Sequence, residues 1–317
     1  MTLSYLGYFA DPFVMRAGDG TYYAYGTTPA AVGPRVFPVL TSPDLLTWRN
    51  HGAVLDKPAA DLGNDYWAPE VVHSDGRWWM YYSVGHDIAG HHIRVATADS
   101  PLGPFTDLDV NLTPEETFAI DAHPFRDDDG RWYLFYARDV LDDPRPGTHL
   151  AVAPMGHDMS SLSGPAVPVL RPTADWQIYQ RNRSMYGTTL DWHTLEGPAV
   201  LHTAGRYWLT YSAGNWTNES YRVSWAVADH PLGPWTPAPD TAPPLLASTG
   251  DLIGPGHNSL VLAPDGQPTI VFHAWDAAGT RRQMHTRPIR FTHPYPVLPT
   301  SPVEHEHSTH LGDATSG

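Results

Sequence analysis

Five turns that end in glycine, each followed by an aromatic-rich alternating run, predict an all-β chain. Their wide and regular spacing, with no convincing helical period between them, narrows this to a five-bladed β-propeller. Its four-stranded antiparallel blades would surround a central channel.

The five runs are "DGTYYAYGT" (19–27), "DGRWWMYYSV" (75–84), "DGRWYLFYAR" (129–138), "AGRYWLTYSA" (204–213) and "DGQPTIVFHAW" (265–275). Their glycines, 20, 76, 130, 205 and 266, stand 56, 54, 75 and 61 residues apart. A weaker echo lies further along: "DSPLGPFTD" (99–107) matches "DHPLGPWTP" (229–237), and "TSPDLLTWRNHG" (41–52) plays a similar part. Each closes a predicted third strand, such as "IRVATA" (93–98) or "YRVSWAVA" (221–228), so the unit is four strands long. Two β-sandwich domains with fortuitous Asp-Gly turns would explain the turns but not their common phase. The propeller is expected over residues 1–303, followed by a polar tail, "EHEHSTHLGDATSG" (304–317), expected to fray.

Composition limits the function. Of 317 residues, 32 are Pro and 27 Gly, with 12 Trp and 16 Tyr, a mix suited to short strands and tight turns. Cys is absent, which removes disulfides, thiolate catalysis and zinc–thiolate sites. The formal charge is −15, with no basic stripe, so neither nucleic acid nor another polyanion is an expected partner; a neutral substrate fits better. No apolar run approaches the roughly 18 residues of a membrane span. The start, "MTLSYLGYFADPF", lacks a basic segment followed by an apolar one, so no signal peptide is read there and a cytoplasmic location is expected. Oligomeric state is not written in the sequence.

Nine residues before the repeat glycines stand Asp11, Trp67, Asp121, Glu196 and His257. Equivalent positions on the innermost strands of a propeller converge near its axis, so three carboxylates, an indole and an imidazole are expected at one mouth of the channel. Each sits beside Pro or Gly in "FADPFV", "WAPEVV", "IDAHPF", "LEGPAV" and "GPGHNSLV". Singly, each carboxylate is an ordinary turn former, Trp67 a channel wall and His257 a core histidine. Matched phase favours a shared site. Glu70 falls out of phase and reads as a supporting partner to an arginine.

Glycoside hydrolysis needs one carboxylic acid to protonate the leaving oxygen and one carboxylate on the other face of the sugar; a separation of about 6.5–9.5 Å admits a water and gives inversion. Glu196, between Leu195 and "GPAV", is the expected general acid, because desolvation raises its pKa. Asp11, opening the first blade, is the expected base. Asp121 is a third charge that raises the acid's pKa and orients the substrate.

The ordered set "ADPFVMR", "WAPEV", "IDAHPF", "LEGP" and "GPGHNS" resembles glycoside hydrolase family 43 over residues 5–291, a group of inverting α-L-arabinofuranosidases, β-xylosidases and arabinanases. The resemblance implies the same roles: Asp11 as base, Asp121 as pKa modulator, Glu196 as acid. It also implies a pocket arginine on the last blade, best matched by Arg282, with Arg281 and Arg287 as rivals. His257 corresponds to a histidine on the channel floor, which in some members neighbours a bound calcium through water. A structural calcium in the channel is thus allowed, though no EF-hand-like oxygen loop is present and no cofactor is required. Phe13 and Tyr186 join Trp67, His257 and Arg282 as expected substrate-binding residues. The stretch 176–198 before Glu196 departs from the other units and reads as a pocket rim that restricts the enzyme to chain ends.

These observations predict removal of terminal pentose residues from arabino-oligosaccharides or arabinoxylan fragments. An α-L-arabinofuranosidase is the first expectation and a β-xylosidase the second. A non-catalytic sugar-binding propeller would keep Trp67 but need not keep three carboxylates. A phosphorolase would need a cationic site, for which only arginines at 181–183 and 281–290 are at hand.

Overall fold

Strand propensity sets the elements, and alternation decides how they stack. The computed structural model describes residues 1–29, 33–239, 241–292 and 294–299. The chain begins with β1 (Thr2–Tyr5). Blade one is β2 (Ala10–Arg16), β3 (Tyr22–Thr27), β4 (Arg35–Ser42) and β5 (Arg49–Asp56). Blade two is β6 (Asp65–Ser74), β7 (Arg77–His86), β8 (Ala89–Ala98) and β9 (Thr106–Asn111). Blade three is β10 (Ala119–Arg126), β11 (Trp132–Val140), β12 (Gly147–Pro154) and β13 (Val167–Leu170). After β14 (Ile178–Met185), blade four is β15 (Thr188–Thr203), β16 (Arg206–Ala213), β17 (Arg222–Ala228) and β18 (Thr236–Pro237). Blade five is β19 (Ile253–Leu262), β20 (Pro268–Trp275) and β21 (Arg282–Pro288), completed by β1, which pairs antiparallel with β21.

The inner strands β2, β6, β10, β15 and β19 each pack against the next, and β19 packs back on β2, closing a ring of five. Each blade is buried on both faces because successive side chains point to opposite sides. Tyr22 and Ala24 face blade five, whereas Tyr23 and Tyr25 face blade two. Likewise Met80 and Tyr82 pack toward blade one and Tyr81 toward blade three. There is one apolar cluster at each of the five seams. A fully buried aromatic ring of this kind contributes about 1.5–3 kcal/mol, so the Tyr-rich runs hold the ring together. Two separate sandwiches would not give five closed seams.

The two "PLGP" turns both contain a cis Gly–Pro bond, and each delivers an aromatic ring, Phe105 or Trp235, into a seam. The segment before Glu196 is a hairpin. β15 runs for 16 residues, its first half pairs with β14, and its His193 and Thr194 pair in parallel with Gly147 and Thr148 of β12. That ladder ties blade three to blade four. Residues 304–317, expected as a frayed tail, lie outside the described residues.

Candidate active site

Every inner strand is bulged at the same place. Pairing breaks between Ala10 and Phe13, Trp67 and Glu70, Ile120 and His123, Glu196 and Ala199, and Gly256 and Ser259. The first bulged residue has positive φ in all five: Asp11, Ala68, Asp121, Gly197 and His257. Two residues then face one on the partner strand, which turns the chain toward the axis.

The nine-residue count therefore needs a correction. Asp11, Asp121 and His257 occupy the bulge, whereas Trp67 and Glu196 stand one residue before it. The turns explain the slip. Strands β2, β10 and β19 end in five-residue loops, Arg16 pairing with Tyr22, Arg126 with Trp132 and Leu262 with Pro268. Strands β6 and β15 end in two-residue turns, Asp75-Gly76 and Ala204-Gly205, with φ positive at both positions. The glycine falls at a different point in the two kinds of turn, so one count lands on two registers.

Asp11, Trp67, Asp121, Glu196, His257 and Arg282 nonetheless line one cavity of about 440 Å³ at this end of the channel. Asp11 is buried, and Arg282 Nη1 lies 3.2 Å from its Oδ1. Burial would raise its pKa, but the Arg282 guanidinium and the His257 and His273 rings prevail and hold the carboxyl well below its usual range. Arg282 is fixed in turn: its Nε donates to the Tyr8 hydroxyl at 3.0 Å and its Cζ lies 4.5 Å from the centroid of the Trp216 ring.

Asp121 is pushed up to about 6 by burial and by the Asp11 charge, against the pull of His257. Glu196 is pushed up to about 7, by burial first and by Asp121 next. The Gly197 amide donates to Asp121 Oδ2 at 2.9 Å, which brings Asp121 against the backbone beside Glu196. The Tyr221 hydroxyl donates to Glu196 Oε1 at 2.6 Å. His257 Nδ1 lies 3.5 Å from Asp11 and 3.8 Å from Asp121; burial disfavours its cation, but the carboxylates outweigh that and raise its pKa. Two acidic carboxyls with raised pKa thus face one carboxylate held ionised, the division general acid–base chemistry needs.

Two residues expected at the pocket lie elsewhere. Phe13, two positions beyond the bulge residue, alternates back onto the blade face and packs in the seam between blades one and two. Tyr186 sits at the tip of the β14–β15 hairpin, outside the cavity lining, and donates its hydroxyl to Asp139 Oδ2 at 2.7 Å. Glu70 supports a histidine rather than an arginine: His123 Nδ1 lies 2.8 Å from its Oε2. His123 Nε2 accepts from the Val200 amide, so Nδ1 carries the proton and donates to Glu70.

The sequence reading missed Tyr8, Trp216, Tyr221 and His273. Tyr221 stands just before the third strand β17 and Trp216 in the loop after the second strand β16, positions with no repeat signal, although "GNW" directly following that strand is a cue. The hairpin contributes Tyr179 to the cavity and Arg183, Met185 and Trp192 to a smaller lobe beside it. Both spaces share Trp67, Ile88, Ile120, Tyr179, Glu196 and Trp216, so Glu196 stands at their junction.

The residues around His257 do not fit calcium. That ion takes six to eight oxygens, and here the groups around the Asp11 and Asp121 oxygens are imidazole, guanidinium, a backbone amide and a single hydroxyl, that of Thr27. The arginines proposed for a phosphate are largely committed: Arg281 pairs with Asp276, Arg181 with Asp175 and Asp191, and Arg183 stacks on Tyr179 and Trp192.

Known proteins resemble this chain over most of its length. A β-D-galactofuranosidase of Aspergillus niger is 32% identical over 286 residues, covering 84% of this chain and 74% of the relative. An extracellular exo-α-(1→5)-L-arabinofuranosidase of Streptomyces avermitilis is 28% identical over 281 residues; the match covers 83% of this chain but only 54% of that protein, so the chain spans about half its length. The crystal structure of a thermostable family-43 glycoside hydrolase superposes with a TM-score of 0.79 at 30% identity, covering 93% of each chain. Residues 6–294 match the family model described as glycosyl hydrolases family 43, and the chain belongs to that family.

Proposed function

We propose that the protein is an inverting, exo-acting glycosidase that removes terminal α-L-arabinofuranosyl residues from short arabino-oligosaccharides or arabinoxylan fragments. One observation carries the reading: a carboxylate paired with Arg282 and a buried carboxyl whose pKa burial raises face the same cavity. The strand bearing His257 lies between theirs in the ring, which supports the wide separation that admits a water.

In this mechanism Asp11 takes a proton from water as the oxygen attacks the anomeric carbon. Glu196 gives its proton to the departing glycosidic oxygen, and the sugar leaves with inverted configuration. Asp121 keeps Glu196 protonated near neutrality, and Arg282 keeps Asp11 ionised. The aromatic walls of Trp67, Trp216 and Tyr179 offer flat apolar faces to a sugar ring. The lobe beneath the β14–β15 hairpin, open to Glu196, gives the leaving group a place on the acid's far side.

A second reading, hydrolysis of β-D-galactofuranosides, is favoured by the Aspergillus relative, because that sugar shares its ring configuration with α-L-arabinofuranose. The test is hydrolysis of 4-nitrophenyl α-L-arabinofuranoside, β-D-galactofuranoside and β-D-xylopyranoside, with NMR of the first anomer released. Preferred cleavage of the arabinofuranoside with inversion supports the proposal. Retention, or no cleavage of any of the three, overturns it.

A further inference from the structure

One repeated hydrogen bond joins the inner strands, and one seam departs from it. On the second strand of each blade, the residue facing the last paired position before the bulge is Thr27, Ser83, Ala137, Ser212 or His273. Four of these carry an acceptor, and each takes the amide proton of the first bulged residue in the next blade. Thr27 Oγ1 accepts from Ala68 at 2.9 Å, Ser83 Oγ from Asp121 at 3.0 Å, Ser212 Oγ from His257 at 2.7 Å, and His273 Nδ1 from Asp11 at 3.1 Å.

Blade three has Ala137, whose methyl accepts nothing. A buried amide without a partner is costly, and the amide concerned is that of Gly197, in blade four. It is satisfied by Asp121 Oδ2 instead. The exception falls where it bears on the site, because Glu196 immediately precedes Gly197. A carboxylate recruited to cap this amide is thereby held next to Glu196.

We propose that Ala137 is a positioning residue: by withholding the hydroxyl its counterparts supply, it assigns the Gly197 amide to Asp121 and so fixes that carboxylate beside Glu196. The activity readout rests on Glu196 being the general acid; the structural readout does not. The geometry for a competing acceptor already exists, since Ser83 and Ser212 make this bond from the same place in their own blades.

The test compares A137S, which adds an acceptor, with A137V, which adds bulk without one. In A137S the hydroxyl competes for the Gly197 amide and Asp121 is freed to move off. The alkaline limb of kcat/KM then shifts to lower pH by roughly half a unit or more, because the nearby negative charge no longer opposes ionisation of Glu196. A137V leaves the limb in place. The structural arm is thermal: A137S raises the melting temperature more in a D121A background, where the amide has lost its partner, than in the native chain. An unmoved limb in A137S, an equal shift in A137V, or no difference between the two thermal backgrounds overturns the proposal. If no glycoside is hydrolysed, the thermal arm still decides it and only the functional reading fails.

Discussion

Tyr221 donates its hydroxyl to Glu196 Oε1 across 2.6 Å from the position just before β17, the third strand of the same blade. The neighbouring blade makes room for it: a methyl at Gly256 would collide with the Tyr221 ring. The bond favours ionised Glu196 and partly offsets burial. In Y221F the Glu196 pKa therefore rises further and the alkaline limb of the pH–rate profile moves upward. Loss of the bond also misorients the acid, and kcat on poor leaving groups falls about tenfold. A downward or absent shift in the limb would show that this hydroxyl does not act on Glu196.

Glu196→Gln separates substrates by leaving group. Aryl glycosides with acidic phenols need little protonation and retain much of their rate, whereas alkyl or oligosaccharide substrates lose roughly 10²–10⁴-fold. Equal losses on both would remove Glu196 from the acid role.

The same variant has a stability signature. A carboxyl whose folded pKa is raised, here from 4.5 to about 7, binds its proton more tightly in the native state. Its contribution is fully present below the unfolded pKa and is lost as pH rises through the folded one. E196Q should thus melt at the same temperature as the native chain near pH 4 and a few degrees higher near pH 8. Calorimetry across that range checks the sign.

Arg282→Ala removes the guanidinium that overcomes the burial of Asp11. The Asp11 pKa then rises, and an acidic limb that lies below the accessible range in the native enzyme enters it. Activity at pH 5 falls more than activity at pH 7. A profile that keeps its shape would mean that Arg282 is not what holds Asp11 ionised.

Gly197→Ala tests the bulge. Gly197 has φ of 55°, and a Cβ there would stand 3.2 Å from His257 Cγ. Positive φ at a residue with a side chain costs about 1–3 kcal/mol, so denaturant melts should show a loss of that order.

Much of this arrangement can be read from the sequence because a propeller repeats its chemistry. The five turns that end in glycine give the number of blades, and a fixed step back from them finds the inner strands. The step misses by one at Trp67 and Glu196 because two-residue and five-residue turns place glycine differently, a distinction visible only once pairing is known. Tyr221, Trp216 and His273 escape for another reason: they come from second strands, third strands and loops, where no equivalent position carries a polar group in every unit. Phe13 misleads because adjacency in sequence to Asp11 does not survive alternation. Ala137 is legible only by comparison, as the one position of five without an acceptor.

The clasp between β1 and β21 has a consequence for how the molecule comes apart. The Phe9 amide donates to the Arg282 carbonyl, and Gln283 Nε2 donates to the Leu6 carbonyl. β1 precedes every other strand of the ring and its partner β21 follows them all, so the circle is sealed only when these two strands meet. Arg282 lies on that zip line. Separation of β1 from β21 would slacken the grip on Asp11 while the other four blades remain intact, so catalysis would fade ahead of global melting.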